Sequence, residues 1–195
     1  MIKPFDFYFD FSSPYSYLAH KQIRKIEKEN SVKINYKPIL LGGLLNLAGI
    51  KANAFIPSKA KFMIRDCKLI AEKHQFDFKF NTYFPINSLN LMRGVLIAEK
   101  NKFLKLYVDK MFDAFWKDGL NLDDKFVNQK VLENLGLNTK IFYEQISNIE
   151  IKNELKERTN DAFNKEVFGA PTFIINNKLF WGQDRLEFVL NEAKK

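Results

Sequence analysis

The chain has 195 residues, 46% apolar and 28% charged, the balance of a soluble globular protein forming one large domain or two small intimate ones. No apolar run approaches the roughly 20 residues of a membrane span, and a single cysteine, Cys67, excludes an internal disulfide, a CxxC pair and a cysteine-rich zinc site. The net charge of +8 comes from scattered lysines, which reads as dispersed solvation or attraction for an anionic ligand and not as a nucleic-acid surface.

The start, Met1-Ile2-Lys3-Pro4, leads directly into a charged, alternating segment, so no signal peptide is expected and a cytoplasmic location is. Phe5, Phe7, Phe9 and Phe11 alternate with polar or amphipathic residues, the period of a strand. From Tyr15 to about Glu29 the pattern turns helical, with Leu18, Ala19, Ile23 and Ile26 on one face. Ser13 suits the N-cap and Pro14 the first helical position. Val32, Ile34 and Tyr36 then alternate in a second strand ending near Pro38, which completes a βαβ unit with parallel strands. Gly42-Gly43 and the Gly49 to Pro57 segment read as breaks. From about Ser58 to Val167 nearly every segment reads as helix, most clearly Asn101 to Lys117. Gly136 reads as a helix stop, and a long helix runs from about Glu150 to Gly169. Thr172 to Ile175 and Lys178 to Trp181 read as strands joined at Asn176-Asn177, and Asp184 opens a last helix. The order βαβ, helices, ββα is that of a small α/β domain interrupted by a helical insertion.

A strand, a four-residue motif at a helix N-terminus, and a distant X-Pro before a ββα ending form the order of a thioredoxin fold. Ser13-Pro14-Tyr15-Ser16 therefore places serines where a redox motif carries cysteines. A serine hydroxyl is too weak an acid to be the thiolate itself, but it donates hydrogen bonds well. A helix N-terminus also stabilises negative charge by roughly 0.3–1 kcal/mol. The X-Pro candidate is Ala170-Pro171, expected to be cis and to face the Ser13 turn; a simple strand start is the alternative.

Six blocks stand in order: Asp10-Phe11-Ser12-Ser13-Pro14-Tyr15-Ser16-Tyr17-Leu18, Leu40-Leu41-Gly42-Gly43, Ile56-Pro57-Ser58-Lys59, Phe84-Pro85-Ile86-Asn87-Ser88-Leu89, Phe168-Gly169-Ala170-Pro171-Thr172 and Trp181-Gly182-Gln183-Asp184-Arg185. Together they resemble the 2-hydroxychromene-2-carboxylate isomerases and the related kappa-class glutathione transferases, over essentially the whole chain. The resemblance implies an α/β, thioredoxin-like fold interrupted by a large all-helical insertion. Residues 1–41 plus 160–195 would form the thioredoxin-like domain and 42–159 the insertion.

The resemblance implies glutathione as the cofactor and no metal. It places the catalytic serine at Ser13, holding the cofactor's sulfur as a thiolate, and leaves Ser16 structural. Ala170 beside Pro171 would bind the cysteinyl part through its main chain, Gln183 and Asp184 the γ-glutamyl end, and Lys59 the glycyl carboxylate. One departure stands out: Ile50 follows Gly49 where the family often has Asn, and Asn53 lies nearby but off register. An aromatic-acid substrate would meet Asn87 and Arg93, with Arg93 as carboxylate partner. Trp116 and Phe112 would wall its apolar part unless their stripe is core. The implied partners are a small aromatic carboxylate or other electrophile and a second copy of the chain in a homodimer, with no nucleic acid and no membrane.

The leading expectation is a glutathione-dependent isomerase in aromatic catabolism. A kappa-like transferase that conjugates electrophiles shares its cofactor site, and a non-catalytic thioredoxin-fold binding module is the third possibility. A hydrolase built on Ser13 with His20 or His74 lacks a nucleophile elbow. The two histidines make no metal site, and Cys67 reads as an apolar filler in a helix.

Overall fold

The computed structural model describes residues 2–30 and 32–195; Met1, where the leader reading begins, lies outside them. Strand β1 (Phe5–Phe9) is followed by α1 (Pro14–Asn30) and β2 (Ile34–Pro38), and the chain returns to the sheet with β3 (Thr172–Ile175) and β4 (Lys178–Trp181). The strand order is β2-β1-β3-β4, with β1 parallel to β2, antiparallel to β3, and β3 antiparallel to β4. Alternation puts Phe5, Phe7 and Phe9 on one face, where Phe7 stacks on its cross-strand neighbour Phe173 at 5.5 Å and on Phe9 at 5.2 Å. Tyr8 faces the other way, into a smaller cluster with Ile39, Leu44, Ala162 and Val167. Asn176 and Asn177 take φ of 49° and 59°, the positive pair that a two-residue hairpin demands. This is the expected thioredoxin-like arrangement.

The insertion comprises α2 (Leu41–Leu47), α3 (Pro57–His74), α4 (Leu89–Lys100), α5 (Leu104–Trp116), α6 (Lys125–Glu133), α7 (Thr139–Ser147) and α8 (Ile149–Asn164), and α9 (Leu186–Ala193) closes the chain. Two boundaries differ from the sequence pattern. Gly42-Gly43 does not break the chain but lies inside α2, with neither residue at positive φ. A Cβ on Gly42 would meet nothing within 4 Å, so the glycines cost α2 about 1 kcal/mol each in propensity and leave the neighbouring groove open. The last insertion helix stops at Asn164, short of Gly169. Glu166 takes φ of 64° and the Val167 N–H reaches back to the Ala162 carbonyl at 3.0 Å, a C-terminal cap made without glycine. Gly136, at φ 75°, does end α6 as expected, donating to the Glu133 carbonyl at 2.8 Å.

One apolar cluster runs from the Phe face of the sheet into the insertion and includes Ile23, Met92, Val95, Phe112, Leu132, Phe142 and Leu155. Ring contacts carry it across, with Phe11 against Phe112 at 4.8 Å and Tyr107 against Phe142 at 5.9 Å. Cys67 is fully buried in this cluster, and burial pushes its thiol up, away from thiolate chemistry. Among the described residues no helix is long and apolar enough to cross a membrane.

Two features yield stability predictions. A Cβ on Gly94 would collide with the buried Tyr107 ring, whose hydroxyl donates to the Leu91 carbonyl at 3.0 Å, and with Phe142. Gly94→Ala should therefore destabilise by about 1–3 kcal/mol, seen as a Tm lowered by roughly 5 °C; an unchanged Tm would show that the helices separate freely. At the other end of the molecule, Lys178 and Lys195 at 2.9 and 3.0 Å, with Asn176 at 3.1 Å, hold the Glu192 carboxyl down to about 2. A depressed carboxyl stabilises fully above its ordinary range and loses that contribution as pH falls toward the folded value. The Tm gap between the parent protein and Glu192→Gln should thus be present at neutral pH and close between about pH 4.5 and 2. An equal gap at both extremes would contradict this.

Candidate functional site

β1 ends at Phe9, the chain turns from Asp10, and α1 begins with Pro14, so Ser13 sits where the helix's first N–H groups need an acceptor. Its Oγ accepts from the Ser16 N–H at 3.1 Å, and its hydroxyl donates to the Ala170 carbonyl at 3.0 Å. The turn is fixed from behind, with the Ser13 N–H donating to the Asp10 carbonyl at 3.0 Å. Ser13 is only 4% exposed yet borders the cleft. Ser16 is fully buried, does not line the cleft, and its hydroxyl has no partner among the described residues.

The Ala170–Pro171 peptide is cis and stands opposite the Ser13 turn, as the order of elements suggested. The Pro171 carbonyl accepts from the Gly182 N–H at 3.0 Å, which ties this corner to the end of β4. Among the described residues the Ala170 N–H has no acceptor, so it is free to pair with a ligand's main chain. Beyond β4, Gly182 takes φ of 112° and a 3₁₀ turn, Gln183–Arg185, precedes α9. Asp184 therefore lies in that turn and does not open α9, which corrects the sequence expectation; its carboxylate meets Arg185 at 3.2 Å. The Gln183 amide oxygen accepts from Gln22 at 2.8 Å, leaving its own NH₂ available.

The cleft holds about 1260 Å³ and brings together Ser13, Lys59, Ala170, Pro171, Gln183, Asp184 and Asn87. Lys59 stands in the first turn of α3. Ile50 and Asn53 both line the cleft, Asn53 from the 3₁₀ turn Asn53–Phe55. Arg93 and Trp116 are not brought in. Arg93 lies outside the lining, with its guanidinium on Asn90 at 3.3 Å. Trp116 is wholly buried, its indole N–H spent on the Phe11 carbonyl at 2.8 Å. It backs the cleft through Phe84, a lining residue 5.6 Å away. Phe112 is likewise core.

Several lining residues escaped the sequence reading. Phe55, Phe62, Phe168 and Trp181 present exposed ring surface at the cleft, and nothing in sequence separates such rings from core ones. Tyr15, inside the motif, donates to Asp66 at 2.8 Å; burial, with Asp66 beside it, pushes the phenol up and keeps it protonated. His20 is no partner for Ser13. It is buried against Asp109 at 2.7 Å and Tyr36 at 3.3 Å, and burial pushes it down. Among the described residues no His, Cys, Asp and Glu group is arranged to hold a metal.

Residues 5–194 match the model of the DsbA-like thioredoxin domain. The chain is 30% identical to 2-hydroxychromene-2-carboxylate isomerase of Pseudomonas sp. (strain C18) over 190 residues, 96% of this chain and 88% of the relative. It is 27% identical to glutathione S-transferase kappa 1 of Caenorhabditis elegans, over 94% of this chain and 88% of that one. A solved structure of 2-hydroxychromene-2-carboxylate isomerase superposes with a TM-score of 0.88 at 28% identity, covering 98% of this chain and 94% of the other. The chain belongs to the DsbA-like thioredoxin family and, within it, to the group of 2-hydroxychromene-2-carboxylate isomerases and their kappa-class relatives.

Proposed function

We propose that the protein is a glutathione-dependent isomerase of the 2-hydroxychromene-2-carboxylate type, acting on a small unsaturated aromatic acid. The observation that carries the reading is Ser13: a serine in the redox position, its hydroxyl held between the Ser16 N–H and the Ala170 carbonyl at the rim of a large cleft. The lining fits a thiol-bearing tripeptide. The unpaired Ala170 N–H offers main-chain pairing, Asp184 and the free Gln183 amide suit an α-amino acid end, and Lys59 suits a terminal carboxylate. The homodimer and the cytoplasmic setting implied by the family belong to the same reading.

Bound glutathione would supply a thiolate able to add to an unsaturated carbon and leave after bond rotation. The protein's part is to keep that sulfur anionic and in place. Ser13 keeps the Ser16 N–H as its own donor and needs only to rotate its O–H from a neutral carbonyl toward a sulfur anion, a stronger, charge-assisted bond. The α1 N-terminus favours the same charge. The exposed rings of Phe55, Phe62 and Trp181 offer flat apolar surface to an aromatic substrate, and Lys51 and Arg185 add positive charge along the lining. A kappa-like transferase would use the same cofactor wall, and the match to kappa-class relatives supports it as the second reading. Product analysis with the chromene carboxylate and with an aryl halide separates the two.

Calorimetric titration should show glutathione binding; none at millimolar concentration would sink both enzymatic readings. Ser13→Ala should raise the pKa of the bound thiol, followed by thiolate absorbance, and lower kcat by roughly a hundredfold or more, as loss of one preorganised donor does. An unchanged thiol titration would contradict the mechanism. Asp184→Ala should weaken glutathione binding several-fold while leaving the bound thiol's pKa in place, because it touches the other end of the ligand. Equal effects on both would assign Asp184 elsewhere.

A further inference from the structure

A fully buried carboxylate lies directly behind the Ser13 turn, and nothing in the mechanism above uses it. Asp10 Oδ1 accepts from the Ser12 N–H at 2.8 Å and the Ser12 hydroxyl at 2.9 Å, and Oδ2 accepts from the Leu41 N–H at 2.7 Å. These partners come from different walls of the cleft: Ser12 from the motif turn and Leu41 from the start of α2.

The local structure is bent to this purpose. Leu40, at the N-cap of α2, has no capping side chain, and the Asp10 carboxylate takes that role from 31 residues away. The Ser12 N–H on Oδ1 and the Leu41 N–H on Oδ2 can only donate, so both positions must accept, which an amide does not and a carboxylate does. Its negative charge is also misplaced for electrostatic catalysis, since an anion close to a site that must hold a thiolate raises that thiol's pKa. What the carboxylate supplies is geometry.

We propose that Asp10 is the positioning residue of the site: it locks the Ser13 turn to the start of α2, so that the Ser13 hydroxyl is aimed at the ligand sulfur. The proposal rests on the glutathione reading above. Asp10→Asn is nearly isosteric but replaces one acceptor oxygen by a donor, and either orientation of the amide opposes it to the Ser12 pair or to the Leu41 N–H.

The test is the bound-thiol pKa of glutathione on the full-length protein, read by thiolate absorbance, with calorimetric Kd and circular dichroism alongside. The two possible roles of Asp10 predict opposite signs. Loss of positioning raises the bound-thiol pKa in Asp10→Asn even though a negative charge has been removed, while Kd changes little and kcat falls on the order of tenfold to a hundredfold. A bound-thiol pKa that falls, or stays where it was, overturns the proposal and leaves the Ser13 mechanism standing. A parent protein that does not lower the thiol pKa of glutathione at all overturns the functional reading, and this proposal with it. If Asp10→Asn does not fold, Ser12→Ala removes one arm of the node. The same rise, smaller, supports the proposal there, and an unchanged titration overturns it.

Discussion

The hydrogen bond from the Ser13 hydroxyl to the Ala170 carbonyl joins residues 157 apart, and the rest of the site is arranged so that it can form. Sheet topology does most of this. Because β3 runs antiparallel to β1 with Tyr8 opposite Thr172, the residues entering β3 arrive beside those leaving β1. Pro171 can precede β3 without disturbing a ladder, since it lacks the N–H that a central strand would need. The turn after β1 then presents Ser13 to Ala170 at the same edge. A serine here meets two opposed requirements, accepting from its helix and donating outward, which a hydroxyl can do at once.

Holding that edge still is the task of two unlike materials. The apolar one is a continuous stack of rings from Phe7 and Phe173 through Phe11 to Phe112, with Trp116 pinned to the Phe11 carbonyl. Close-packed rings have low compressibility, so the floor beneath the motif is rigid. The polar one is the set of buried groups around Asp10, which fixes directions that apolar packing leaves free. Burial pushes the Asp10 carboxyl above its ordinary range while the donors around it pull it back. A group with no partners in that position would be lost to protonation.

Much of this was legible in the sequence, for reasons that are local. The period of two in β1, the paired asparagines of the hairpin and the Ser13-Pro14 helix start each depend on residues within a few positions, and all appear where the pattern put them. The misreadings depend on distant partners. Gly42-Gly43 looks like a break because its sequence neighbours carry no cap, and the cap arrives from Asp10. The stripe of Phe112 and Trp116 is visible as a stripe, but its direction is set by Phe11, Phe78 and Phe84, which periodicity cannot show. Arg93 lies inside α4, beyond Ser88, the last residue of that segment to line the cleft, and its place on the helix face is set by packing that the spacing does not show. Asp184 read as the opening of the last helix because an acidic residue before an apolar run usually marks a helix start; the 3₁₀ turn intervenes.

The account stands on the sulfur's place in the cleft. The most direct measurement is a crystal structure of the protein with glutathione bound. It should show the sulfur within hydrogen-bonding distance of Ser13 Oγ, the ligand main chain paired at Ala170, and its two ends at Lys59 and at Gln183 and Asp184. A tripeptide seated elsewhere in the cleft, or one whose sulfur points away from Ser13, would contradict it.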